Sequence, residues 1–115
     1  MAPTTLEGQV TTTSPYGRNL KIQGNPIRVC EMLSTLDGTA YAERVAVDCV
    51  KNVNNAKKAI KRAFETQIRG EGFSIVEVLS TCPTNWGKTP QESLEWLRSD
   101  MMAHYPLGIY KGGDK

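Results

Sequence analysis

The chain has 115 residues, of which 39% are apolar and 23% are charged, so it can form one small domain with a modest core. Its fourteen basic residues are interleaved with twelve acidic ones, and the net charge of +2 gives no support to nucleic-acid binding. The sequence contains neither a membrane-spanning apolar run nor a secretory leader, which predicts a cytoplasmic protein without membrane contact. We therefore expect a single domain over residues 1–115.

The chain is predicted to begin with a long loop. Residues 1–25 are rich in Thr, Gly, Ser and Pro and show no periodicity, which indicates loop or extended chain that needs another part of the protein to lie on. Asn25-Pro26 then has the form of an N-cap and a first helical residue. The spacing of the following apolar residues predicts a short helix that ends at Asp37-Gly38. Residues 26–115 are expected to form the α/β part of the domain.

The middle of the chain has the pattern of a strand, a helix and a second strand. Residues 40–47 are predicted to form the first strand, in which Glu43 and Arg44 indicate partial exposure. An apolar stripe over residues 53–68 predicts an amphipathic helix. Residues 73–79 are β-branched and apolar, which favours a mostly buried second strand. Short connections make this a βαβ unit with parallel strands.

A final helix is predicted over residues 90–103. Thr89 and Glu92 flank Pro90 and Gln91 in the arrangement of a capping box, which indicates a sharp start to this helix. The expected fold class is therefore α/β. It corresponds to one βαβ unit with flanking helices and a long N-terminal loop, and it is too small to close a doubly covered parallel sheet by itself.

The three cysteines lie at wide spacings, which argues against a disulfide framework and against a metal site made by this chain alone. Cys30 falls among apolar helix positions and is predicted to be a core residue. Cys82 follows the second strand and precedes a helix, and that junction is where open α/β sheets place their chemistry. From the residues alone, Cys82 can be a structural cysteine or a ligand.

Five blocks of the sequence match one known family, and they are residues 1–17, Pro26–Leu33, Glu43–Val45, Ser80–Gly87 and Tyr105–Gly108. They resemble the C-terminal part of the β subunit of 2-oxoacid:ferredoxin oxidoreductases, particularly those acting on 2-oxoglutarate or 2-oxoisovalerate. The resemblance implies part of a thiamine-diphosphate-binding domain. It also implies a complex with an α subunit that oxidatively decarboxylates a 2-oxoacid, forms an acyl-coenzyme A and reduces ferredoxin through a [4Fe-4S] cluster.

The resemblance also implies roles for single residues. Cys82 matches a family cysteine that supplies one of four thiolates to the cluster. Thr4 and Thr5 match positions that follow the Mg²⁺-binding loop and lie beside the diphosphate or the substrate channel. Thr84 would line the same crevice as Cys82. The family's acidic, glycine-rich Mg²⁺ motif and its Cys-x-x-Cys pair are absent here and would lie upstream of Met1. The chain is therefore expected to be inactive alone, and the sequence identifies no catalytic residue.

Two alternatives remain open. One is a non-catalytic domain that docks onto a partner subunit without carrying iron. The other is a small thiol-redox protein that uses Cys49 and Cys82. The basic residues on the predicted second helix are typical of a solvated face, with contact to acidic ferredoxin or to coenzyme A phosphates as the less favoured interpretation; they are Lys57, Lys58, Lys61 and Arg62.

Overall fold

The computed structural model describes residues 1–112. These residues form two compact units, one built from residues 1–28 and 81–103 and the other from residues 29–80 and the segment that begins at His104. The elements in chain order are α1 (Leu20–Gln23), α2 (Val29–Ser34), β1 (Thr39–Ala46), α3 (Val50–Ile68), β2 (Phe73–Leu79), α4 (Pro83–Trp86), α5 (Pro90–Trp96), a π-helical turn (Leu97–Met101), α6 (Met102–His104) and β3 (Gly108–Lys111).

The second unit is a three-stranded sheet with the order β2-β1-β3. β1 and β2 are adjacent and parallel, and α3 connects them in the chain. This confirms the predicted α/β fold class and the βαβ unit. β3 was not predicted, and it pairs antiparallel with the other edge of β1. The sheet is therefore mixed rather than purely parallel. A strand of four residues just after a helix is too short to show an alternating pattern in the sequence.

Helix α3 lies across β1 and β2 and closes one face of the sheet. Its alanines Ala56 and Ala59 pack with Val45 of β1 in the core, and Val76 of β2 packs against this cluster. The small alanine side chains bring the helix backbone close to the sheet. The amphipathic helix predicted for residues 53–68 is thus confirmed, although it begins three residues earlier, at Val50.

The predicted burial of the two parallel strands is wrong in both cases. β1 is the central strand, and Tyr41, Ala42 and Arg44 are almost completely buried there. β2 is an edge strand, in which only Leu79 is buried. The charged pair Glu43-Arg44 misled the prediction, because a charged side chain can be buried when partners from other elements neutralise it.

Arg44 is the largest fully buried side chain in residues 1–112, with 1% of its surface exposed. Its guanidinium donates to Glu31 of α2 at 2.5 Å and to Glu77 of β2 at 2.9 Å. It also lies over the rings of Tyr105 and Tyr110 at about 5 Å from each centroid. Burial alone would lower the pKa of Arg44, but hydrogen bonds and the charges of the two carboxylates outweigh that effect and raise it.

The first unit shows that residues 1–25 are not simply an extended loop. The buried guanidinium of Arg18 donates to the carbonyl oxygens of Ala2, Thr5 and Gly24 at 2.8, 2.6 and 2.9 Å. A short helix, α1, also forms within this segment. The single arginine organises the loop because it satisfies several carbonyl groups that would otherwise lack donors. Sequence periodicity carries no signal of such an arrangement.

The predicted helix boundaries are partly right. Thr89 and Glu92 form the complete capping box at the start of α5, as expected. Asn25-Pro26 does not start a helix, and α2 begins three residues later at Val29. The helix predicted over residues 90–103 consists of α5, the π-helical turn and α6 in succession. Among the helices of residues 1–112, none combines the length and apolar character that spanning a membrane requires.

Candidate functional site

Cys82 lies in a short loop three residues after the end of β2. It is the N-cap residue of the four-residue helix α4, which Pro83 begins and Gly87 ends in the left-handed conformation at a φ of 65°. The side chain is exposed and makes no capping hydrogen bond. The Cys82 sulfur is therefore accessible on a backbone that is held by local turns.

The Cys82 loop is joined to the N-terminal loop within the first unit. The backbone N–H of Thr12 donates to the carbonyl of Asn85 at 3.0 Å, and the two side chains are also hydrogen-bonded. Behind the loop, Trp86 packs on Trp96 of α5 with ring centroids 4.8 Å apart. The contact of Thr12 was not predicted, since the two residues are far apart in sequence and neither has a distinctive pattern.

The three threonines named from the sequence have different surroundings. Thr84 is exposed in the Cys82 loop, and Thr4 is half-buried. Thr5 is 94% buried, its N–H donates to the carbonyl of Ala2, and its own carbonyl accepts from Arg18. Thr84 thus shares a short loop with Cys82, whereas the backbone of Thr5 helps to organise the N-terminal loop. Binding of thiamine diphosphate by Thr4, Thr5 and Thr84 stays a prediction.

Cys82 offers one sulfur donor and no more. Within residues 1–112, no group of three or more His, Cys, Asp or Glu side chains is placed to hold a metal ion. An accessible thiol on a locally fixed backbone fits a single ligand to an iron–sulfur cluster whose three other thiolates belong to another part of the protein. The donor set of residues 1–112 does not fit a self-contained metal site.

The three cysteines differ in reactivity. Cys30 is fully buried, as predicted, and burial, together with a hydrogen bond to Glu77 and its charge, raises the pKa of the thiol to about 12. Cys49 and Cys82 are exposed.

Brief treatment of the folded chain with iodoacetamide at pH 8 is expected to alkylate Cys49 and Cys82 and to spare Cys30, because the thiolate is the reacting form. Peptide mass spectrometry measures this, and denatured protein, in which all three react, is the control. Modification of Cys30 in the native chain would contradict its position in the core.

The βαβ unit with its additional antiparallel strand defines a small α/β fold, and Cys82 is an exposed thiol in the first unit. Subunit VorA of ketoisovalerate oxidoreductase from Methanothermobacter marburgensis is 42% identical to this chain over 111 residues, which are 96% of this chain and 23% of the relative. Subunit KorB of 2-oxoglutarate synthase from Archaeoglobus fulgidus is 32% identical over 100 residues, 87% of this chain and 33% of the relative. Subunit PorB of pyruvate synthase from Methanocaldococcus jannaschii is 29% identical over 85 residues, which are 74% of this chain and 26% of the relative.

The chain belongs to the family of 2-oxoacid:ferredoxin oxidoreductase subunits, as its sequence blocks predicted. It spans about a quarter of the length of the VorA relatives that it matches, which are from two Methanothermobacter species. No family model matches the chain. No solved structure matches it either.

Proposed function

We propose that this chain is the C-terminal part of the β subunit of a 2-oxoacid:ferredoxin oxidoreductase and is inactive alone. The complete enzyme converts a 2-oxoacid and coenzyme A to acyl-coenzyme A and carbon dioxide, and ferredoxin takes up the electrons. The observation that carries the proposal is the 42% identity to a ketoisovalerate oxidoreductase subunit over 96% of the chain. A cytoplasmic location and a companion α subunit are parts of the same proposal.

The contribution of this chain is to bind and insulate cofactors rather than to supply reacting groups. Cys82 is proposed as one thiolate ligand of a [4Fe-4S] cluster, and Thr84, two residues further on, as part of the cofactor wall. Thiamine diphosphate with Mg²⁺ would supply the decarboxylation chemistry when bound, and the cluster would carry single electrons. The packing of Trp86 on Trp96 supports this role, because it anchors helix α4, which follows Cys82, against α5.

The test of the proposal is reconstitution. The full chain should be expressed anaerobically in two samples. In the first it is expressed by itself. In the second it is expressed together with the α subunit and with the polypeptide of the same organism that carries the Mg²⁺ motif and the Cys-x-x-Cys pair. We expect the chain to co-purify with these polypeptides. Only the co-expressed sample should reduce methyl viologen, and this activity should require 2-oxoisovalerate and coenzyme A. A chain that fails to co-purify, or a complex that is equally active without it, would refute the proposal.

An exposed apolar stripe on α3 supports assembly with other subunits. Ile60, Phe64 and Ile68 follow one another at four-residue spacing and are 43%, 67% and 83% exposed. Beside them, an open notch of about 310 Å³ between α3 and β2 is lined by apolar side chains together with Gln67 and Ser74 and contains no charged residue. Clustered apolar surface of this kind marks interaction sites in folded proteins.

A substitution in this stripe is expected to prevent assembly. Phe64→Asp places a charge where the partner would exclude water, and we expect it to abolish co-purification with the companion polypeptides while the isolated chain stays folded. Asn54→Asp, at an exposed position of the same helix, adds the same charge outside the stripe and should leave co-purification unchanged. Affinity capture measures co-purification, and circular dichroism of the isolated variants measures whether they stay folded. Equal capture of the two variants would show that the stripe is not an interface.

A further inference from the structure

A basic groove runs along the side of α3 that faces β1 and β3. It lies entirely within the second unit and encloses about 330 Å³, which is within the range of small-ligand sites. The groove exists because α3 covers β1 and β2, whereas β3 extends the sheet beyond the helix. We name it the α3–β3 groove.

The cations of the α3–β3 groove come from one face of the helix. Lys51, Lys58 and Arg62 line it, at spacings of seven and four residues that bring side chains to the same side. Asn55 lies between Lys51 and Lys58 on that face and adds a carboxamide. Lys57, the neighbour of Lys58 in sequence, does not line the groove.

The positive charge of the α3–β3 groove is largely uncompensated. The side-chain ammonium groups of Lys51 and Lys58 make no hydrogen bond or ion pair with any residue that the structure describes. Arg62 approaches Glu43, the one acidic residue lining the groove, at 4.0 Å, the outer limit of an ion pair. Arg44 also borders the groove, but Glu31 and Glu77 already neutralise it. Three cations therefore face one carboxylate.

The remaining walls are apolar. Val45 and Ala46 of β1 form the floor, Ala59 of α3 lines one side, and Leu107 and Ile109 line the side towards β3. A ligand that fits these walls has an apolar or aromatic part beside a group with several negative charges. Arginine provides a planar fork and lysine a compact charge, and both suit phosphate oxygens.

We propose that the α3–β3 groove binds an organic phosphate with at least two negative charges, such as a nucleoside diphosphate. Its phosphates lie against Lys51, Lys58 and Arg62, and its organic part lies on Val45, Leu107 and Ile109. This site uses neither Cys82 nor any threonine assigned to the cofactors. It does not depend on the proposed oxidoreductase function, since binding to the chain can be measured without activity.

The experiment is a titration of the full chain with ADP, AMP and inorganic pyrophosphate, followed by calorimetry and by NMR shifts of the backbone amides. We expect ADP to bind more tightly than AMP, because it carries an additional phosphate, and more tightly than pyrophosphate, because its organic part covers the apolar floor. The shifts should concentrate on residues 51–62 and 107–109. Binding should weaken as salt is raised.

Matched lysine variants decide whether the groove is the binding site. Lys58→Ala and Lys51→Ala should each weaken ADP binding by about tenfold, while Lys57→Ala, which removes the same charge one residue away, changes it by less than about twofold. All three positions are exposed, so thermal unfolding should be unaffected. Equal effects of Lys57→Ala and Lys58→Ala would overturn the proposal in favour of nonspecific charge attraction. The absence of ADP binding at about 1 mM, or tighter binding of a poly-glutamate peptide than of ADP, would also overturn it.

Discussion

Replacement of Arg44 by methionine is expected to lower the free energy of unfolding by about 3 kcal/mol. The substitution keeps much of the side-chain volume but removes the guanidinium that Glu31 and Glu77 share. Two carboxylates that are 32% and 15% exposed would then lose the guanidinium that they share. Burial of a charge whose partner has been removed is costly, whereas replacement of the whole cluster by apolar groups need not be.

Urea denaturation of the full chain, followed by circular dichroism, measures the effect of Arg44→Met. Arg62→Met is the matched control, because Arg62 is half-exposed and its ion pair with Glu43 is 4.0 Å long. Partly exposed pairs of this length contribute less than about 1 kcal/mol, so the control should unfold near the wild-type midpoint. If both variants lost the same stability, the cluster around Arg44 would not be the main electrostatic contact of the sheet.

Replacement of Cys82 by alanine is expected to remove most of the cluster iron from the co-expressed complex. A [4Fe-4S] cluster needs four ligands, and the loss of one thiolate leaves an iron without a protein donor. Iron and acid-labile sulfide per complex, together with the absorbance near 400 nm, report the loss directly. Reduction of methyl viologen should fall in parallel, because the proposed function assigns electron transfer to the cluster.

The control for this experiment is Cys49→Ala, which removes the other exposed thiol. It should keep the iron content and the activity of the unmodified complex. If Cys82→Ala retained the full cluster, Cys82 would not be a ligand, and a docking domain without iron would become the better description of the chain. If oxidation joined Cys49 to Cys82 reversibly in the isolated chain, a thiol-redox function would be favoured instead.

Several parts of the fold follow from local signals in the sequence. β2 has its predicted bounds, and β1 and α3 differ from theirs by one to three residues. The capping box at Thr89 and Glu92 is complete. These features depend on side-chain periodicity and on hydrogen bonds within four residues, so neighbouring residues are sufficient to specify them. The family could be recognised for a similar reason, since each matching block is short and continuous.

The burial of the strands followed from the tertiary structure alone. A run of β-branched residues led to the prediction that β2 is mostly buried, although it is an edge strand. The charges of β1 concealed that it is the buried central strand. Strand order depends on pairing between segments that are distant in sequence, and β3 completes it from the end of the chain. Local patterns cannot supply that information.

The candidate sites also divide into features that local sequence specifies and features that only tertiary contacts specify. Continuous sequence blocks were enough to identify the family, and local periodicity was enough to predict the α/β class. The role of Cys82 as a cluster ligand stays a prediction. Only the folded chain revealed that Arg18 organises the N-terminal loop, that Arg44 is buried between Glu31 and Glu77, and that Lys51 and Lys58 share a groove with β3. Each of these arrangements brings together groups from separate segments, and long-range electrostatic and packing energies determine them only once the chain has folded.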